Sequence, residues 1–370
     1  MKIIFVVSHF YPPVTGGEIY NYRLYKYLKN FYPIQIIKFD DFPYKFSGGF
    51  ILRNFWILRK IIGKNDIVII EDAVMSSNLF IFNLIIKLLK KIKDKKIKVV
   101  PLVHHLYYPL ETKTINKFTK YWMERILLST SDAIIVNSEF TRDEVRRIVP
   151  NNGKRILVAY PGLNLDIANE KKWKDSKTIN LLFVGSVTKR KGVDTLIKAL
   201  EILVSEYRVK NVKLHIVGSL DKEPEFSRKI INYSYKKLKD KVIFHGRVND
   251  NKLAEIYGNT HIFVFPSLWE GFGMVIIEAM VHGLPIIASN IGPIPYLIKD
   301  GINGLLVNPG NPRLLARAIK KYIDNPNLIK KIGNINRKHA KNFDWSKTLR
   351  KIKKFLDEIN MNENEHLHVC

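Results

Sequence analysis

The chain opens on an unbroken apolar run from Lys2 to Ser8, with Ile3-Ile4-Phe5-Val6-Val7 at its centre. A short run without polar alternation predicts a strand buried on both faces of a parallel sheet. Runs of the same kind recur at Ile34–Phe39, Ile67–Ile70, Lys98–Val103 and Ala133–Val136. Between them the period changes. From about Glu18 to Asn30, Tyr20, Leu24, Tyr27 and Leu28 fall at helical spacing. Pro12, Pro13, Gly16 and Gly17 precede this helix and predict a loop. Strands alternating with helices predict a parallel sheet covered on both faces.

The alternation pauses near Pro161-Gly162, and residues 164–178 are polar and charged, as in a linker. A second series follows at Asn180–Gly185, Lys213–Gly218, Lys241–Gly246, His261–Pro266 and Pro285–Ser289. Trp345 to Ile359 predicts a terminal helix with Asp344 as its cap, and residues 360–370 read as a frayed tail. The expectation is an α/β protein with two Rossmann-like, doubly wound parallel-sheet domains facing a cleft. Their bounds are 1–165 and 166–344, with the helix 345–360 packing back on the first. A length of 370 residues suits two domains.

Composition narrows the function classes. With 61 Lys and Arg against 34 Asp and Glu, the formal net charge is +27. The excess is spread over both halves, with no helix-turn-helix, RNP or zinc-finger pattern, so nucleic acid is not an expected partner. The single cysteine, Cys370, excludes a disulfide framework within the chain and a Cys-rich zinc site. The first apolar stretch is too short for a signal peptide, and no window approaches the roughly 18 apolar residues of a membrane span. The expected location is cytoplasmic, peripheral on the inner face of the membrane if two N-terminal segments reach lipid. Lysines 87, 90, 91, 93, 95, 96 and 98 surround one acid, Asp94. Between Asp41 and Asp66 there is no acid, while Phe46, Phe50, Phe55 and Trp56 mix with Arg53, Arg59 and Lys60. An anionic membrane surface is one reading of these segments. A helix buried by its own domain and a solvated basic run are the other.

In open α/β sheets, ligands bind beyond the carboxyl ends of the strands. Four such ends carry distinctive chemistry. Pro266-Ser267-Leu268-Trp269-Glu270-Gly271-Phe272-Gly273-Met274 leads from a strand into a helix that contains Glu278. The backbone of Gly271, Phe272, Gly273 and Met274 opens that helix, and a helix N-terminus suits a diphosphate. Glu270 and Glu278 are ionised acceptors for sugar hydroxyls and a ribose diol. The segment Gly185-Ser186-Val187-Thr188-Lys189-Arg190-Lys191-Gly192 combines a glycine turn with three cations, an anion site. Gly16-Gly17 lets N–H groups approach a ligand ahead of a helix. His104-His105 ends the Lys98–Val103 strand, with no carboxylate at helical spacing to make a metal site, and no metal is expected.

Together these residues resemble the retaining glycosyltransferases of family 4, which have the GT-B fold. The resemblance also runs through Asn137-Ser138, Pro161-Gly162, His245-Gly246-Arg247-Val248 and Asp300-Gly301-Ile302-Asn303-Gly304-Leu305-Leu306-Val307. It implies a metal-independent hexosyltransferase of glycan biosynthesis. A sugar would move from a nucleotide-sugar donor, UDP- or GDP-linked, to a sugar, glycan or lipid-linked acceptor, with no cofactor. By resemblance, Lys191 binds the donor diphosphate, Gly16 and Gly17 lie near the donor phosphates, and His104 touches the transferred sugar. The backbone at Arg247 and Val248 would lie beside the nucleobase. Ser186 stands where the family usually has Arg, with Arg190 as a replacement charge, and Tyr296 follows Pro295 where the family usually shows Glu. These departures are what favours the alternative, a non-catalytic nucleotide-sugar-binding protein on the same scaffold. An epimerase or phosphorylase of that fold is the enzymatic rival.

Overall fold

The computed structural model describes residues 2–8, 11, 16–38, 66–71, 97–110, 113–150, 153–163 and 178–361. The linker at 164–177, Pro12 and Pro13, the segment 42–65 and the lysine run up to Lys96 lie outside the described residues. The chain divides into two compact units, Met1–Gly162 with Trp345–Cys370, and Leu163–Asp344.

In the first unit, strands β1 (Lys2–Val7), β2 (Ile34–Lys38), β3 (Asp66–Glu71), β4 (Lys98–Val103), β5 (Ala133–Val136) and β6 (Arg155–Val158) form one sheet in the order β2-β1-β3-β4-β5-β6. Every pairing is parallel. Continuous apolar strands make this possible: Ile3, Ile4, Phe5, Val6 and Val7 are all buried, so β1 has no solvent face. Helix α1 (Gly16–Leu28) follows β1. It begins two residues before the predicted start, so Gly16 and Gly17 form its first turn rather than a loop. Helices α2 (Thr114–Thr130) and α3 (Glu139–Ile148) flank β5 in sequence. Ser138 caps α3 by accepting from the Thr141 N–H at 3.1 Å.

The last helix of the chain, Trp345–Met361, belongs to this first unit. Trp345, Leu349, Ile352, Phe355, Leu356 and Ile359 recur at helical spacing and join Tyr20, Leu24 and Leu28 of α1 in one core cluster. At about 1.5–3 kcal/mol for each fully buried apolar side chain, that face is ample reason for the helix to return. Asp344, predicted as its cap, makes an isolated parallel bridge with Leu163.

In the second unit, strands β7 (Ile179–Val184), β8 (Val212–Val217), β9 (Val242–Gly246), β10 (Ile262–Phe265), β11 (Ile286–Ser289) and β12 (Gly304–Val307) form a parallel sheet in the order β12-β11-β10-β7-β8-β9. The predicted strands of this series each shift by one residue or shorten. Two strands escaped the sequence reading, β6 and β12. Both are four residues long, and Gly304-Leu305-Leu306-Val307 follows a turn at Asp300-Gly301 that masks it.

Strand order sets where chemistry can sit. From β7 the chain adds β8 and β9 on one side, then returns to place β10, β11 and β12 on the other. The reversal lies between β7 and β10. In the first unit it lies between β1 and β3. Crossovers leave in opposite directions at such a point, and open sheets bind their ligands beyond the strand ends there.

Candidate functional site

The loops after β7 and β10 carry the cationic and acidic motifs, and the structure brings them together. After Gly185, whose N–H bonds to Val217 O at 2.8 Å, the chain makes a tight turn over Lys189–Lys191 and enters α4 (Val193–Ser205). Gly192 lies between them at φ +65°, a left-handed conformation that favours glycine. A Cβ there would fall 2.1 Å from Pro266 O, at the end of β10. The two loops can touch because this residue has no side chain.

The contact is then locked by polar groups. Leu268 N–H bonds to Arg190 O at 2.8 Å, and the Arg190 guanidinium donates to Trp269 O at 2.9 Å while lying over the Trp269 ring. Arg190, expected as a phosphate contact, is therefore engaged in holding the Glu270 loop. Next to it, Lys191 Nζ donates to Glu270 Oε2 at 2.5 Å, and each side chain is 14% exposed. The ammonium also lies 4.9 Å from the centre of the Phe265 ring. Burial pushes the Lys191 pKa below the usual lysine range, and the Glu270 carboxylate opposes that shift. A largely buried cation held at a strand end by a single carboxylate has already lost most of its hydration, so an anionic ligand can become its partner without desolvating the ammonium again.

Glu270 Oε1 accepts from the Gly271 N–H at 3.2 Å. Phe272 is buried, and Gly273 starts α5 (Met274–Val281) with Met274 in its first turn. Glu278 is on the second turn and faces a different neighbour. Its Oε2 accepts from the Tyr257 hydroxyl at 3.1 Å, and Tyr257 stacks on His282 with ring centres 4.7 Å apart. Burial raises the Glu278 pKa, and the Tyr257 hydrogen bond lowers it in part. Burial also pushes the Tyr257 phenol well up, so it stays a hydrogen-bond donor. The two carboxylates that the sequence pairs by spacing thus have separate partners.

Beyond β9, Arg247 is exposed and Val248 is half-buried. Just before them His245 Nε2 and His215 Nδ1 share a hydrogen bond of 3.0 Å with the rings stacked. Burial drives His215 down to about 4, so the pair is neutral at physiological pH. A cavity of about 580 Å³ is lined by Lys189, Glu223, Phe226, Arg228 and Lys229, and not by Lys191, Glu270 or Glu278.

In the first unit, His104 lies beyond β4, 7% exposed. Its Nε2 is 3.2 Å from Asn21 Oδ1 on α1, and its ring meets Tyr20 edge-on at 5.1 Å. Gly17 lets the start of α1 approach: a Cβ there would lie 3.1 Å from His104 Cδ2. Gly16 is exposed with open space around it. Glu124, buried on α2, accepts from the Tyr107 N–H at 2.7 Å and so fixes the turn after His104-His105. Asn21, Glu124 and Tyr257 are positioning residues that sequence reasoning missed. Asn21 alone left a signal, a polar residue on the apolar stripe of α1.

Comparison with known proteins follows the same division. The sequence model described as Glycosyltransferase Family 4 matches residues 6–167, and that described as Glycosyl transferases group 1 matches residues 166–339. An uncharacterized 41.2 kDa protein in the cps region of Klebsiella pneumoniae is 32% identical over 229 residues, 59% of this chain and 60% of that one. The chain therefore spans about three-fifths of the length of this relative. An uncharacterized glycosyltransferase of Methanocaldococcus jannaschii is 27% identical over 97% of this chain and 99% of its own. Among solved structures, Anabaena HepE in complex with UDP and glucose superposes with a TM-score of 0.70 at 19% identity, covering 97% of this chain and 100% of that chain. That likeness establishes the fold. Two family models in succession, the strand order of both sheets and the GT-B neighbours place the chain in the group 1 glycosyltransferases of family 4.

Proposed function

We propose that this chain moves a sugar from a UDP- or GDP-linked donor to a sugar, glycan or lipid-linked acceptor in the cytoplasm, with retention of anomeric configuration and no metal. The observation that carries the reading is the Lys191–Glu270 pair at the order reversal between β7 and β10. The UDP and glucose in the HepE complex support a nucleotide-sugar donor.

In this reading the second unit binds the donor. Lys191 leaves Glu270 for the diphosphate, and the first turn of α5 adds its dipole. These groups supply the positive charge that the departing diphosphate needs, so a divalent cation is not required. Glu270 accepts from sugar hydroxyls and supports positive charge developing at the anomeric carbon. Glu278, oriented by Tyr257, accepts from the ribose, and the backbone at Arg247 and Val248 flanks the base. The first unit serves the acceptor, with His104 assigned to the transferred sugar. The acceptor oxygen forms a bond to the anomeric carbon as the bond to the phosphate oxygen breaks. The acceptor proton passes to that phosphate oxygen on the same face.

The test is a thermal-shift screen of UDP-, GDP- and ADP-sugars, followed by NMR of the anomeric proton of the sugar released or transferred from the hit. A ligand that binds only the native state raises the melting temperature. Binding with slow hydrolysis of the donor and retained configuration is the expected result. Binding with no turnover under any condition leaves a nucleotide-sugar binder, and inverted configuration overturns the mechanism.

A further inference from the structure

The second unit holds a cavity that the transferase reading does not use. On one side is the turn after β7, at Lys189. On the other is the start of the helix Pro224–Leu238, at Glu223, Glu225, Phe226, Arg228 and Lys229. Its volume of about 580 Å³ falls within the range of about 300–1,000 Å³ usual for small-ligand sites. Two hydrogen bonds join the sides. Glu223 Oε2 accepts from the Lys189 N–H at 3.0 Å, and the buried Ser227 hydroxyl donates to Val187 O at 3.2 Å. The cavity is therefore built on the same turn, Lys189–Lys191, that carries the candidate diphosphate lysine.

Its charges are unequally engaged. The Glu223 carboxylate is occupied by the Lys189 N–H. Glu225 stands in the first turn of its helix, where a carboxylate complements the helix dipole. It precedes Arg228 and Lys229 by the three- and four-residue spacings at which helical ion pairs form. Among the described residues neither cation pairs with it, and the Lys189 ammonium has no ion-pair partner either. All three cations are exposed, while Phe226 is half-buried. The cavity thus combines an aromatic ring with three cations open to a ligand. A ring of this kind gives an apolar surface to one face of a pyranose, and the cations supply charge-assisted donors for a carboxylate or a phosphate.

We propose that this cavity binds an anionic sugar, a pyranose bearing a carboxylate or a phosphate. A neutral sugar would use the ring and leave the cations without partners. The formal charge of +27 on the chain favours an anionic ligand as well, since it draws such molecules to the surface. The inference deepens the transferase reading, on which this sugar is a unit of the acceptor glycan held beside the donor turn, but its test does not involve transfer.

The full chain is titrated at low salt, followed by NMR, with tetragalacturonate, glucose 6-phosphate, neutral maltotetraose and inorganic phosphate. The variants are Arg228→Glu with Lys229→Glu, Phe226→Leu, and Lys191→Ala. Tetragalacturonate or glucose 6-phosphate should bind at least about tenfold more tightly than maltotetraose or inorganic phosphate. Whichever of the two binds identifies carboxylate or phosphate as the recognised group. The charge-reversed pair should weaken that binding about tenfold or more, and 0.5 M salt should weaken it in the wild type. Phe226→Leu should weaken it about threefold. Lys191→Ala should leave it within about twofold, because Lys191 does not line the cavity. The charge-reversed pair should keep the wild-type melting temperature, since both side chains are exposed. Four outcomes overturn the proposal: no binding of either anionic sugar, binding unchanged by the charge-reversed pair, inorganic phosphate binding as tightly as the sugars, or binding abolished by Lys191→Ala, which would put the probe at the diphosphate site. Failure of every nucleotide-sugar to bind would count against the transferase reading alone.

Discussion

The two sheets carry their candidate residues at corresponding places, beyond the strand ends near an order reversal, yet they equip those places differently. In the second unit the groups are ionic: Lys191 on Glu270, and Glu278 under Tyr257. In the first unit the groups are brought close by shape, His104 on Asn21 with Gly17 against the ring. The difference teaches what each end is suited to bind. A largely buried ion pair is a preformed charge whose partner can be replaced by a phosphate. A buried imidazole with an amide partner offers directional hydrogen bonds, which suits hydroxyls.

The sharpest way to break this comparison is Glu270→Ala. If the carboxylate supports the reacting sugar, kcat should fall about 100- to 1,000-fold with KM changed only a few-fold. Unchanged steady-state kinetics would leave the second unit's ion pair a purely structural contact.

Stability should separate the two ends next. Gly192→Ala places a Cβ 2.1 Å from a backbone oxygen at φ +65° and should cost about 2–4 kcal/mol in denaturant unfolding. Gly17→Ala meets only a ring carbon at 3.1 Å and should cost about 1 kcal/mol or less. Equal losses would mean that the loops at the two ends are equally constrained.

A smaller effect is expected at Glu278. Glu278→Gln should weaken nucleotide binding about 5- to 10-fold by removing a charged acceptor. Its sign with pH is fixed by burial. The folded-state pKa is raised, so the carboxylate forms later than in an ordinary glutamate as pH rises. Its contribution to stability is greatest below the usual carboxylate value and is lost as pH rises through the raised one. Nucleotide affinity should therefore climb over that same window in the wild type and stay flat in Glu278→Gln, measured by titration calorimetry. The smallest effect of all should come from EDTA, less than about twofold on turnover, because protein cations meet the diphosphate. Complete inhibition reversed by Mg²⁺ would show that the cations of the second unit do not suffice.

Much of the fold was legible because parallel strands buried on both faces write themselves as unbroken apolar runs, as Ile3 to Val7 does. Helix starts were less so: Gly16 and Gly17 carry loop signals, yet they open α1. Strands β6 and β12 did not stand out, because β6 opens on exposed Arg155 and is only partly buried, and β12 opens on Gly304 straight after a turn. At the site, the acids at 270 and 278 were readable from glycine context and spacing, and Lys191 was singled out among three cations by the family resemblance. Their partners were not readable. The Lys191–Glu270 contact spans 79 positions and the Tyr257–Glu278 contact 21, and both depend on strand order rather than local pattern. Spacing grouped Glu270 with Glu278, whereas packing gives each its own partner. The cavity between Lys189 and the helix Pro224–Leu238 was also hidden, because a sequence shows helical periodicity but not which turn a helix start packs beside.

The central claim is that the second unit's strand ends hold a nucleoside diphosphate through Lys191. Its most direct test is calorimetric titration of wild type and Lys191→Ala with UDP and with uridine, and with GDP and guanosine in parallel. A charge-assisted contact to phosphate is worth about 1.5–3 kcal/mol. Affinity for the preferred diphosphate should therefore drop roughly 10- to 150-fold, while affinity for the matching nucleoside changes less than about threefold. Equal losses for both ligands, or none for either, would contradict the account.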